Sequence, residues 1–154
     1  MPLFLKLFKL QLHENRITSI DVNTFKGFSA SDSLDALNLA SNNIKEIPEK
    51  SFQSLSSLNS LALEKNRISA IHPFAFQGIE GNFINNLSTQ DYSLEWLTLG
   101  DNILNSIPSY ALQNLTRLRQ LDLRGNNITI VEENSFKDFG LLKSSFHFTH
   151  FVQN

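Results

Sequence analysis

The side chains best suited to hold a metal or move a proton are the histidines His13, His72, His147 and His150, and only the last two are close in sequence. The segment "HFTH" that carries them offers no third ligand, whereas a protein zinc site needs three or four. Cysteine is absent from all 154 residues, which removes thiolate ligands, disulfides and thiol nucleophiles together. No glycine-rich phosphate loop, nucleophile elbow or motif-borne carboxylate pair occurs. The expectation is a chain that is not an enzyme and binds no cofactor or metal. One further chemistry has a residue signature: N-x-S/T acceptors for sugar stand at Asn86, Asn114 and Asn127. With 17 Asn and 25 Ser plus Thr, chance alone gives about three such triplets. Their number therefore means nothing, and only their positions can inform.

Composition sets the frame for these residues. Hydrophobic content of 41% with 18% charged residues is ordinary for one soluble domain with a sizeable core. The net charge of -2, with both signs mixed along the chain, offers no polycationic surface, so nucleic acid is not expected as a partner. The apolar start "MPLFLKLFKL" is interrupted by Lys6 and Lys9, and no small-residue cleavage site follows. No run approaches the roughly 18 apolar residues of a membrane span, so no membrane insertion by this segment is expected.

The elements that must position any functional side chain emerge from an internal repeat. Five blocks align: "LFKLQLHENRITSI" from Leu7, "LDALNLASNNIKEI" from Leu34, "LNSLALEKNRISAI" from Leu58, "LEWLTLGDNILNSI" from Leu94 and "LRQLDLRGNNITIV" from Leu118. Each follows L-x-x-L-x-L-x-x-N-x-I-x-x-I, with aliphatic replacements at the last two positions. An aromatic or aliphatic residue recurs five positions later (Phe25, Phe52, Phe76, Leu112, Phe136). Another follows three after that (Phe28, Leu55, Ile79, Leu115, Phe139).

Within a block such as "LNLAS", alternation predicts a very short strand, Leu37 and Leu39 inward, with Ala36, Asn38 and Ala40 outward. Strands of successive repeats would pair in parallel, because one repeat cannot bury its apolar edge alone. An asparagine turned in among leucines requires hydrogen-bond partners, since an unpaired buried amide costs about 1–3 kcal/mol. Stacking would supply them through a ladder of Asn15, Asn42, Asn66, Asn102 and Asn126 that satisfies backbone groups where each strand ends. Pro48 and Pro108, each six residues after its ladder asparagine, and Pro73 nearby argue for extended or short 3₁₀ segments on the outer side.

These blocks resemble the leucine-rich repeat, with its L-x-x-L-x-L-x-x-N/C-x-L signature and 20–29-residue period. Spacings between ladder asparagines are 27, 24, 36 and 24 residues. The 24-residue spacing with its phenylalanine is similar to the extracellular subclass of Toll-like receptors, Slit-like guidance proteins, small proteoglycans and chaoptin-like adhesion proteins. The resemblance covers residues 1–142. It implies an α/β-type solenoid: a right-handed horseshoe segment with a concave parallel sheet and a mostly irregular or 3₁₀ convex side.

Three stretches depart from the pattern. The first repeat has three extra residues around "SASDS", and the third has twelve extra within 80–93, a loop length often tied to function. Residues 143–154 form a degenerate tail in which Ser145, His147 and His150 stand where the frame asks for two apolar residues and Asn. Met1 and Phe4 fit the end of a preceding repeat. With neither end showing a cap, the expectation is a fragment of a longer protein.

Function in a solenoid lies on its exposed faces. The register predicts three concave columns: Lys9, Ala36, Ser60, Trp96, Gln120; then Gln11, Asn38, Ala62, Thr98, Asp122; then His13, Ala40, Glu64, Gly100, Arg124. Candidate ligand contacts are Trp96, Thr98, Glu64, Gln120, Asp122, Arg124 and His13, with Trp96 foremost because exposed tryptophan is enriched at binding hot spots. The resemblance implies a non-catalytic module of a receptor, adhesion or matrix protein that binds a protein or glycoprotein ligand at the cell surface. Alternatives are an intracellular scaffold or substrate-recruiting ubiquitin-ligase subunit, and a truncated product without function of its own. Oligomeric state is not legible.

Overall fold

The computed structural model describes residues 7–28, 33–79, 94–131 and 135. The start of the chain, the insertion with Asn86, the Phe136 and Phe139 positions, and the tail lie outside these residues.

The five leucine blocks form five three-residue strands: β1 (Lys9–Gln11), β2 (Ala36–Asn38), β4 (Ser60–Ala62), β6 (Trp96–Thr98) and β7 (Gln120–Asp122). They pair in parallel in the order β1-β2-β4-β6-β7, with Leu10, Leu37, Leu61, Leu97 and Leu121 in one register row. The ladder continues past the strands. N–H groups of Glu14, Ser41, Lys65 and Asp101 donate to carbonyls of Ala40, Glu64, Gly100 and Arg124 at 2.7–3.0 Å.

Each strand then ends on a sharp corner made by the residue just before the ladder asparagine. Glu14, Ser41, Lys65, Asp101 and Gly125 all have left-handed φ, between 52° and 67°. Four of the five carry side chains, so the conformation costs about 1 kcal/mol each and must be held in place by neighbouring groups.

The ladder asparagine supplies that hold. Asn66 Oδ1 accepts the Ile44 N–H of the preceding repeat at 3.0 Å, while its Nδ2 donates to Leu39 O at 3.0 Å, Leu63 O at 3.0 Å and Glu64 O at 3.3 Å. Asn42, Asn102 and Asn126 repeat the same set, with Oδ1 accepting from Ile17, Ile68 and Leu104 at 2.9–3.0 Å. The ladder thus ties each repeat to the one before it as well as closing its own turn. Asn15 departs from expectation: it is exposed and donates only to Leu12 O and His13 O of its own repeat. It has no described repeat before it to supply an N–H.

Inside the turns, Leu37, Leu39, Ile44, Ile47 and Phe52 are sealed from solvent. The outer side is filled by a stack of rings, Phe25 on Phe52 and Phe52 on Phe76, each pair with centroids 6.0 Å apart. Leu112, fully buried, takes the next place. A second sheet pairs β3 (Glu46–Ile47) with β5 (Ala70–Ile71). Its closing rung is His72 N–H to Ile47 O at 2.9 Å. Pro48 and Pro108 occupy the position of His72 in their repeats and have no N–H, so this rung cannot extend to either neighbour. Among the described residues, outer segments are otherwise turns, one parallel bridge between Ser106 and Ile130, and a 3₁₀ stretch, Lys26–Phe28. The exception is α1 (Ser109–Leu112), a single α-helical turn with Pro108 at its N-cap, where a missing N–H leaves no helical bond unmade.

The insertion does not disturb the frame. In regular repeats the turn closes by Leu58 N–H to Leu55 O at 2.9 Å and Leu118 N–H to Leu115 O at 3.0 Å. Leu94 N–H makes the same bond to Ile79 O at 3.1 Å across the fourteen-residue segment 80–93.

Candidate ligand-binding face

The sheet register brings the concave columns together as the alternation predicts: Lys9, Ala36, Ser60, Trp96 and Gln120 align, as do Gln11, Asn38, Ala62, Thr98 and Asp122. The third column follows from the backbone rungs beyond the strands. His13, Gln120 and Arg124 are exposed, and Thr98, Glu64 and Asp122 are half-buried. Trp96 retains 39% of its surface, between Ser60 on β4 and Gln120 on β7.

Two outward expectations need correction. Ala40 is 6% exposed and Gly100 is buried, because side chains this short are overtopped by their neighbours in the columns. A Cβ added at Gly100 would meet the Asp122 Oδ2 at 3.4 Å. The face therefore has low floor positions at Ala40, Ala62 and Gly100 and taller polar groups around them.

Those polar groups are fastened, some across strands and some along their own. Asn38 Nδ2 donates to Gln11 Oε1 at 3.0 Å, and its Oδ1 accepts the Ala40 N–H at 3.0 Å. The Thr98 hydroxyl donates to Glu64 Oε2. Arg124 grips Asp122 with two parallel bonds, Nε to Oδ1 at 2.9 Å and Nη2 to Oδ2 at 2.7 Å, and its backbone N–H adds a third at 3.0 Å. The Arg124 side-chain bonds hold the Asp122 carboxyl below its usual range, against partial burial, which acts the other way. Asp122 in turn raises the Arg124 guanidinium. Such pre-pairing fixes rotamers before any ligand arrives and leaves less freedom to be lost on association.

Sequence reasoning missed several neighbours of this face. Glu95 and Arg119 pair at 3.1 Å along the edge of β6 and β7. Asp101 packs so closely on Gly125 that a Cβ there would lie 2.1 Å from Asp101 Oδ1. The "GN" dipeptide at 125–126 was the only readable trace of that corner. Asn114 and Asn127 are both exposed, as an acceptor must be. Among the described residues no cluster of metal-ligand side chains forms, and no helix is long and apolar enough to cross a membrane.

Residues 32–81 and 92–144 match the family model described as leucine rich repeat. The chain belongs to the leucine-rich repeat family. The break between the two matched spans falls inside the insertion. This leucine-rich repeat protein is 32% identical over 134 residues to human leucine-rich repeats and immunoglobulin-like domains protein 1, which covers 87% of the chain and 11% of that protein. Its fold is similar to a chain in the crystal structure of the TLR13–ssRNA13 complex, with a TM-score of 0.73 at 26% identity, over 88% of this chain and 18% of that one. The leucine-rich repeat chain thus spans a small part of both, and the fold is that of a leucine-rich repeat solenoid.

Proposed function

We propose that the concave sheet binds a protein or glycoprotein ligand, without catalysis or cofactor, as part of the extracellular region of a receptor, adhesion or matrix protein. The observation that carries this reading is Trp96: a large ring standing out of β6, an interior strand of the sheet, beside low floor positions and fastened polar groups. Interfaces concentrate their energy in a few such anchors rather than spreading it over the contact area. The extracellular setting rests on the 24-residue subclass and on the two relatives, one pairing these repeats with immunoglobulin-like domains and the other a Toll-like receptor fold.

RNA is the ligand named in the TLR13 structure, yet the concave columns here argue for protein. Their one arginine, Arg124, is already neutralised by Asp122, and Lys9 is the only other permanent cation in them. Phosphate binding draws its strength from several free cations.

Probing the chain against paired arrays of secreted or cell-surface ectodomains and of cytosolic proteins should return an ectodomain binder whose affinity falls about tenfold or more on Trp96→Ala, the size of a hot-spot loss. Arg124→Ala should weaken it by less. Unchanged affinity in both variants moves the site to the convex side or the insertion, and binders found only among cytosolic proteins favour an intracellular scaffold.

A further inference from the structure

Two neighbouring asparagines in the fifth repeat are built for opposite ends. Asn126 spends its whole amide on the ladder, accepting from Leu104 and donating to Leu99 O, Leu123 O and Arg124 O. Asn127 stands exposed beside it, with no side-chain hydrogen bond among the described residues, and its sequon hydroxyl on Thr129 is exposed too. Asn114 is in the same condition just beyond α1 and its C-cap Gln113. Neither lies in a concave column.

A second observation meets the first. Large apolar side chains stand exposed on the fourth and fifth repeats, Ile103 at 50%, Ile130 at 64% and Tyr110 at 73%, as Phe8 and Phe74 do on the first and third. The counterparts of Ile103 in the first three repeats are Arg16, Asn43 and Arg67, and those of Ile130 include Ser19, Glu46 and Ser106. Ile103 holds in the fourth repeat the position that Asn127 holds in the fifth, Ile130 stands three residues after Asn127, and Tyr110 four residues before Asn114. Apolar patches left open on a soluble surface promote association.

We propose that Asn114 and Asn127 carry N-linked glycans that cover these apolar side chains on the outer surface of repeats four and five and leave the concave sheet free. The inference rests on the extracellular reading. In the transfer, the amide Nδ2 bonds to the anomeric carbon of an oligosaccharide carried on a lipid pyrophosphate. The bond from that carbon to the pyrophosphate oxygen breaks, the lipid pyrophosphate leaves, and the amide gives up one proton. No oxidation state changes.

The test sends the full 154-residue chain through the secretory pathway of a glycosylating cell behind a supplied leader, so that the outcome does not depend on where the native protein resides. Glycosidase release in heavy-oxygen water, followed by peptide mapping, should mark Asn114 and Asn127 as labelled aspartates, and Thr129→Ala should abolish the mark at 127 alone. Enzymatic removal of the sugars from the folded product should convert a monodisperse peak into associated species. Unmodified asparagines at both sites in the secreted product overturn the proposal, and an unchanged elution profile after sugar removal overturns the covering role. Cytosolic residence of the native protein would overturn the extracellular reading and, with it, the glycans that depend on that reading, whereas unmodified sites in the secreted product overturn the glycans alone.

Discussion

On the inner side of the solenoid, five strands pair in one unbroken register, and Asn42, Asn66, Asn102 and Asn126 make the same connection four times. On the outer side, the repeats differ in both the kind and the place of their regular structure: a 3₁₀ stretch late in the first, half of a two-stranded sheet early in the second and third, and α1 midway through the fourth. The two sides answer different constraints. Inner backbone groups are stacked at strand spacing and every one must find a partner, which permits a single solution. Outer segments must fill a volume, and several backbone shapes can do that provided the ring or aliphatic group arrives in place.

The sharpest way to break this comparison is to empty the outer side where it is fullest. Phe52 is fully buried between two rings, so Phe52→Ala should cost about 3–5 kcal/mol in denaturant unfolding. Phe52→Leu copies what Leu112 does in the fourth repeat and should cost about 1.5 kcal/mol or less. Equal losses for the two would mean that ring stacking, rather than volume, sets the outer side.

The inner side should respond to chemistry at nearly constant volume. Asn66→Ala strands the Ile44 N–H in a buried corner and takes one of two donors from each of the Leu39, Leu63 and Glu64 carbonyls, for a loss of about 1–3 kcal/mol. Asn15→Ala removes two exposed bonds within one repeat and should stay within about 0.5 kcal/mol. Similar losses at both positions would refute the view that the ladder stabilises by joining repeats.

A glycine pair sharpens the comparison further. Gly27 and Gly78 both stand two residues after their outer phenylalanine. A Cβ on Gly78, at φ 99°, would lie 2.7 Å from Gln53 Cα in the preceding repeat, whereas one on Gly27 meets nothing within 4 Å. Gly78→Ala should therefore lower stability by about 1–3 kcal/mol. Gly27→Ala should be neutral within about 0.5 kcal/mol, both read from the denaturation midpoint.

The same contrast explains how much of the fold was legible in the sequence. Leu37, Leu39, Asn42, Ile44 and Ile47 could be assigned from sequence because every repeat solves the inner problem with the same residue types. Trp96 and the polar columns came with them, since alternation fixes which side a strand residue faces. The left-handed corner escaped because Glu14, Ser41, Lys65, Asp101 and Gly125 share a conformation without sharing a residue type. Ala40 was misplaced because alternation gives direction but not the height of neighbouring side chains. On the outer side, Pro48 and Pro108 signalled that regular structure is interrupted. They did not reveal that one interruption bounds a two-stranded sheet and the other opens a helical turn.

The smallest effect is expected on the concave face itself, where electrostatics replaces packing. Asp122 has its carboxyl pKa lowered in the folded chain, mainly by the side-chain bonds from Arg124. A group whose folded pKa is depressed contributes stability above its unfolded pKa, near 3.9, and that contribution is lost as pH falls through the folded value. The folded protein should therefore lose a little stability from this pair as pH falls below about 4. Asp122→Asn should flatten that part of the pH profile while leaving the midpoint at neutral pH nearly unchanged, because so exposed a partner as Arg124 is heavily screened. A steep acid transition that Asp122→Asn leaves intact would assign it to other carboxylates. A large loss at neutral pH would show that the Asp122–Arg124 grip supports the fold as well as shaping the surface offered to a ligand.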